Sequence, residues 1–115
     1  MRIINKSNQK LIAEKVKIAD NFLKRTQGLL DRSKLDKGEG LLIIPCNCIH
    51  SFGMKFNFDV IFLDKNNKVK YLIKNMKPWR ISPLIITAYS ILEIPVKTID
   101  ETDIKIGDLL ELFIY

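Results

Sequence analysis

Histidine occurs once in this chain of 115 residues, cysteine twice and tryptophan once, and each scarcity removes a class of protein. Two cysteines one residue apart, Cys46 and Cys48, do not make the disulfide framework of a small secreted domain, and they suit a reducing compartment better. The longest apolar run, Leu41 to Pro45, is a strand's worth, far short of the roughly 20 residues that a spanning helix needs. The start, Met1-Arg2-Ile3-Ile4-Asn5-Lys6, has no apolar core and no small-residue cleavage site, so no signal peptide is expected. Also lacking are a G-x-S-x-G elbow, an H-E-x-x-H pair, a phosphate-binding P-loop and a G-x-G-x-x-G turn. Together these lacks predict a cytoplasmic protein that does not enter membranes.

What is present is ordinary for a globular chain: 47% of the residues are hydrophobic and 28% charged. A chain of this length is expected to form one domain, residues 1–115, around its own core. The net charge of +6 raises nucleic-acid binding. Fifteen of the nineteen basic residues are lysines, however, and they are scattered singly. No arginine cluster or aromatic platform accompanies them, so nucleic acid is disfavoured as a partner. The charge is uneven: residues 1–80 hold 17 basic and 7 acidic groups, residues 81–115 only 2 and 6.

Short apolar runs punctuated by Asn, Gly and Pro give the coarse fold. Ile3-Ile4, Leu11 to Ile18, Leu41 to Ile44, Ile49 to Met54, Val60 to Leu63, Lys68 to Ile73, Ala88 to Ile94 and Leu109 to Tyr115 read as strands. Asp64-Lys65-Asn66-Asn67 marks the clearest hairpin, because asparagine tolerates positive φ. Phe22, Leu23, Thr26, Leu29 and Leu30 have helical spacing behind a candidate N-cap, Asp20. Asp100 to Asp103 reads as a single further helical turn at most. The expected fold is therefore all-β and mainly antiparallel: a compact, barrel-like or sandwich domain with one short helix near residues 20–31.

The segment Cys46 to Asp64 concentrates the chemistry. On an extended strand Cys46, Cys48, His50, Phe52 and Met54 share a face, which is a set of soft metal ligands. Spacing argues against a closed site. Strand residues four apart lie about 13 Å from each other, whereas two ligands of one zinc ion are at most about 4.6 Å apart. Cys46 and His50 then cannot share an ion unless the chain bends, and only carboxylates such as Asp59, Glu93 or Asp108 remain to complete the set. No metal and no cofactor is expected, and packed thiols are the favoured reading. The alternative is a redox or nucleophilic thiol at Cys46 or Cys48 paired with His50. Asp59 opens the most apolar strand and needs a partner if buried. Arg80, beside Trp79, is a candidate clamp for it. Either Asp59 caps a turn, or Asp59, Trp79 and Arg80 frame a pocket for a small polar ligand.

The order of these motifs resembles a known family. Thr26-Gln27-Gly28-Leu29-Leu30, then Gly40-Leu41-Leu42, then His50 to Asp64, Leu92-Glu93-Ile94-Pro95 and Ile106-Gly107-Asp108 are similar to domain of unknown function 192. Cys46, Cys48, His50, Phe52 and Met54 with Pro78-Trp79-Arg80 resemble one branch of it. Where the family has arginine before Gly28 this chain has Gln27, so that a contact made by the family arginine is either lacking or taken over by Arg25. The resemblance implies a small β-rich fold with a short helix after the first strands, and no reaction. The expected function is a non-catalytic binding or accessory module. Its surface around His50, Asp59, Trp79 and Arg80 would hold a small polar ligand or a partner's peptide. The alternative is a thiol enzyme or redox protein centred on Cys46, Cys48 and His50.

Overall fold

A computed structural model describes residues 1–114, with all their side chains except those of Phe22, Leu23 and Thr26. In chain order the elements are β1 (Arg2–Asn5), β2 (Lys10–Ala13), β3 (Lys15–Ala19), α1 (Phe22–Gln27) and β4 (Glu39–Ile43). They continue with β5 (Phe58–Leu63), β6 (Val69–Met76), β7 (Ser90–Pro95), α2 (Thr98–Thr102) and β8 (Leu110–Phe113). Two sheets result, one of three strands in the order β2-β1-β8 and one of five in the order β3-β4-β7-β5-β6.

This corrects the expected fold class. The large sheet is mixed, not antiparallel, because β3 and β4 run parallel, with Lys15 opposite Glu39 through to Ala19 opposite Ile43. The crossover between them carries α1, as a parallel pair requires. The two sheets do not close into a barrel, and a second short helix, α2, follows β7. The sequence read Leu11 to Ile18 as one strand, but it breaks at Glu14. There the amides of Glu14 and Lys15 both donate to the Gly38 carbonyl, at 2.9 and 3.0 Å, and lead the chain out of one sheet into the other. Residues 49–54 are not a strand either. They form turns with a single isolated β-bridge, His50 to Ile81.

Helix α1 starts one residue later than expected. Asn21, not Asp20, is the cap, and its Oδ1 accepts from the Lys24 amide at 2.8 Å. Gly28, at φ +51°, ends the helix in a conformation that side-chain-bearing residues avoid. The expected inward face at Phe22, Leu23 and Thr26 lies outside the described side chains. No helix among the described residues is long and apolar enough to cross a membrane.

The large sheet is covered on both faces, which explains the unbroken apolar runs of its strands. Alternation along each strand sorts its residues between two cores. Leu42, Ile61, Leu63, Leu92 and Ile94 pack with Ile3, Ile12 and Leu110 of the small sheet and Ile99 of α2. Leu41, Ile43, Phe58, Val60, Phe62 and Ile91 pack with Leu29, Ile49 and Met54 on the other side. Each central strand also places one carboxyl residue in this interior: Asp59 on β5 and Glu93 on β7.

Candidate functional site

The structure separates Asp59 from the other residues singled out by sequence. Asp59 is 1% exposed. Its Oδ1 accepts from the Asn75 amide and its Oδ2 from the Ile99 amide, both at 2.9 Å. Ile99 lies in the first turn of α2, where helix amides have no intrahelical acceptor. Lys97 at the cap position has φ +73° and no capping side chain, so a strand carboxyl caps this helix in its place. Arg80 does not reach it: its guanidinium donates to the Trp79 carbonyl at 3.4 Å, and the side chain is exposed.

His50, Trp79 and Arg80 do come together, around a residue that sequence reasoning passed over. The imidazole of His50 stacks on Phe52 with centroids 5.0 Å apart, and Phe52 stacks on Trp79 at 5.9 Å. The buried Ser51 holds the two loops in register. Its amide donates to the Arg80 carbonyl at 2.8 Å, and its carbonyl accepts from the Trp79 amide at 3.0 Å. Its hydroxyl donates to the Lys77 carbonyl at 2.6 Å and accepts from the Arg80 amide at 2.9 Å. Trp79 adopts φ +65°, uncommon for a non-glycine residue, and stands 67% exposed at the end of the ladder. The Nδ1 of His50 accepts from the Phe52 amide at 3.2 Å, which places the proton of the neutral ring on Nε2.

Behind His50 a cavity of about 150 Å³ opens between the end of α1 and the sheet. Gln27 at the end of α1 and the turn residues Gly28, Leu29 and Leu30 line it on one side, Cys46, Cys48 and His50 from the loop, and Glu93 from β7. Glu93 is 5% exposed; burial is the one influence on its carboxyl, with no hydrogen bond to it among the described residues. Since no fully buried side-chain oxygen among them lacks a partner, its oxygens open onto the cavity. Its strand neighbours directly opposite are Leu41 and Val60. Burial among them pushes its pKa up to about 8, so the group is largely protonated at neutral pH. Sequence reasoning weighed Glu93 only as a spare metal ligand. The available signal was its place inside Ile91-Leu92-Glu93-Ile94, a strand otherwise apolar on both faces.

The thiols are hydrogen-bond donors here. Cys46 Sγ donates to the Cys48 carbonyl at 3.2 Å and Cys48 Sγ to the Ser82 carbonyl at 3.5 Å, and neither is in a disulfide. Burial, and more weakly the nearby Glu93, push the Cys46 thiol up rather than down. Among the described residues no three His, Cys, Asp or Glu side chains are grouped to hold a metal ion.

A mixed five-stranded sheet with a helical crossover, backed by a small antiparallel sheet, is a fold found in solved proteins. A protein of unknown function from Novosphingobium aromaticivorans matches it with a TM-score of 0.83 over 96% of this chain and 82% of that one, at 20% identity. Among sequence relatives, a UPF0127 protein of Thermococcus sibiricus is 37% identical over 114 residues, covering 95% of this chain and 73% of its own length. A UPF0127 protein of Pyrococcus abyssi is 36% identical over 115 residues, covering 95% of each. The profile of the family described as uncharacterized ACR, domain of unknown function 192, matches residues 3–112, and the chain belongs to that family.

Proposed function

We propose that the protein is a non-catalytic binding module that holds a small polar ligand in the cavity over Glu93, with His50 and its aromatic ladder as the rim. One observation carries this reading: a carboxyl 5% exposed, with no hydrogen bond from the described residues, on the wall of a cavity. A ligand donor that reaches Glu93 supplies the hydrogen bond that the fold does not, and such a bond to a charged group is worth about 1.5–3 kcal/mol. The order of the lining supports the same view, since apolar walls with few convergent polar groups are what small-molecule sites use. Arg80 and Trp79 then act at the mouth. Asp59, hydrogen-bonded through both oxygens to backbone amides, serves the scaffold that carries the site.

Support for thiol chemistry is weaker. A reactive cysteine needs a depressed pKa, whereas that of Cys46 is raised, and Nδ1 of His50 accepts from the Phe52 backbone amide. A partner peptide is the second reading. It is favoured by the exposed Trp79, Ile81, Leu84 and Ile86, which follow one another in one loop region beside the cavity.

Amide NMR of the labelled protein against small polar fragments tests the proposal. Binding at the cavity is expected to shift Gly28, Leu29, Cys48 and His50 together. Fragments that shift only residues 79–86 would replace it with the peptide reading, and fragments that shift neither set would refute it.

A further inference from the structure

The cavity over Glu93 has a definite electrical character. Among the described residues its one carboxyl is Glu93 and its sulfur atoms are those of Cys46, Cys48 and Met54, and its helical wall is the C-terminal end of α1. Helix C-termini carry negative partial charge, and sulfur is polarisable and tolerant of cations. The one permanent cation on the lining is Arg25. One of its nitrogens, Nη1, donates to the carbonyls of Asp20 at 3.2 Å and Ile44 at 3.4 Å, and its charge still reaches the cavity wall at Cys46. The titratable groups around Glu93 are thus Arg25 from α1 and Cys46, Cys48 and His50 from the loop. On either side of β7, strand β5 puts Phe58, Val60 and Phe62 on this face and β4 puts Leu41 and Ile43, with Glu39 at the start of β4 on the same face by alternation and paired to Arg32 at 2.9 Å.

We propose that this cavity binds a small organic cation, a guanidinium, amidinium or primary ammonium group, through a charge-assisted hydrogen bond to the Glu93 carboxylate. The inference rests on the binding-module reading above and names the ligand class for the same site. Size sets the limit: a cavity of about 150 Å³ accommodates a molecule of benzene dimensions, so the whole ligand, or the head group of a longer one, is that small. The apolar walls at Leu29, Ile43 and Ile49 cover the carbon edge of such a group while Glu93 meets its N–H donors. A planar cation also suits a rim that carries the flat ring of His50, since aromatic faces attract cations.

Binding exchanges one positive charge for another. Below the raised pKa of Glu93 the free site holds a proton, and the incoming cation displaces it: protonated Glu93 plus cation gives the carboxylate–cation pair and one proton released to solvent. Apparent affinity then follows the ionised fraction of Glu93. It rises about tenfold per pH unit up to about pH 8 and levels off above it.

Methylguanidinium, which keeps its charge throughout this range, and methylurea, its neutral counterpart of the same shape, separate the possibilities. Each is titrated into the intact protein at pH 6 and pH 9, followed by amide NMR at the cavity residues and by calorimetry in two buffers to count protons. Methylguanidinium is expected to bind at pH 9 at least tenfold more tightly than at pH 6. Proton release should approach one per site at pH 6, and methylurea should bind weakly at both. In Glu93→Gln the preference for the cation should disappear. The two-pH comparison in the unaltered protein stands even if that variant folds poorly. Equal binding of methylurea, or pH-independent binding of methylguanidinium, overturns the cation inference while leaving a binding cavity in place. Tighter binding of acetate than of either probe does the same. Failure of all three probes to shift any cavity residue overturns the cation inference and the cavity reading together.

Discussion

Asp59 and Glu93 sit on neighbouring strands of the same sheet, one residue out of register, with Asp59 opposite Ile94 and Val60 opposite Glu93. Both are buried, at 1% and 5% exposure. The sheet's alternation sends them to opposite faces. On one face Asp59 finds two backbone amides that lack other partners, one from β6 and one from the first turn of α2. On the other, Glu93 finds Leu41, Val60 and an empty volume. The same functional group is thereby a structural clamp in one place and an acid facing a cavity in the other. A carboxyl in an apolar strand therefore has no role of its own: the amides that the opposite layer brings within reach decide it.

The comparison breaks most visibly in the pH dependence of stability. Glu93 has its pKa raised from an ordinary carboxyl value of 4.5 to about 8. The native state therefore keeps a proton that the unfolded chain has already released. Stability is highest below the unfolded pKa and falls as pH rises, by about 1.4 kcal/mol per unit, until the native group ionises near pH 8. Across that window the loss is expected to reach roughly 3–6 kcal/mol. Urea unfolding of Glu93→Gln at pH 5 and pH 8 should show that slope nearly abolished. An unaltered slope would mean that Glu93 is not the acid responsible.

Asp59 should respond in the opposite sense. Asp59→Ala strands two buried amides and uncaps α2, and the expected cost is about 2–4 kcal/mol. Asp59→Asn keeps one acceptor and should recover part of it. A midpoint within error of the unaltered protein would show that the two amides are met by water, and the contrast with Glu93 would collapse.

The sequence carries some of this contrast and hides the rest. Leu41–Ile44, Val60–Leu63 and Ile91–Ile94 are legible as strands because both their faces are buried. The hairpin at residues 64–67 is legible because Asp64 Oδ1 accepts from the amides of Asn66 and Lys68, a local pattern that side-chain chemistry announces. The parallel pairing of β3 with β4 has no local signature: its turn is replaced by a crossover of some twenty residues, and the barrel expectation failed there. The site was legible in part. His50, Trp79 and Arg80 do converge, but through Ser51, a residue without conspicuous chemistry. Asp59 and Glu93 read alike in the chain, and only their neighbours across the sheet tell them apart.

Trp79 marks the boundary between scaffold and site. At 67% exposure it contributes little to the core, and Trp79→Ala is expected to change stability by no more than about 0.5 kcal/mol. Its indole fluorescence reports the ladder directly. Ligand entry beside His50 should perturb that emission in the unaltered protein and leave it unperturbed in Glu93→Gln. A large stability loss in Trp79→Ala would make the ladder part of the scaffold and put it on the side of Asp59.

The smallest expected effect is the most local. Cys46 is raised chiefly by burial, and after that by the charge of Glu93 on the same cavity wall. Above pH 8, where Glu93 is ionised, replacing it with glutamine removes the charge and leaves the burial. Alkylation of Cys46, resolved from Cys48 by peptide mapping, should then be faster in Glu93→Gln than in the unaltered protein. At pH 6 the two should react alike, because the side chain at position 93 is then neutral in both. Asp59→Asn, on the far face of the sheet, should leave the Cys46 rate unchanged at either pH. Equal Cys46 rates in the unaltered protein and Glu93→Gln at pH 9 would show that the carboxyl faces away from the thiol. The cavity would then lack the single negative wall on which its preference for cations depends.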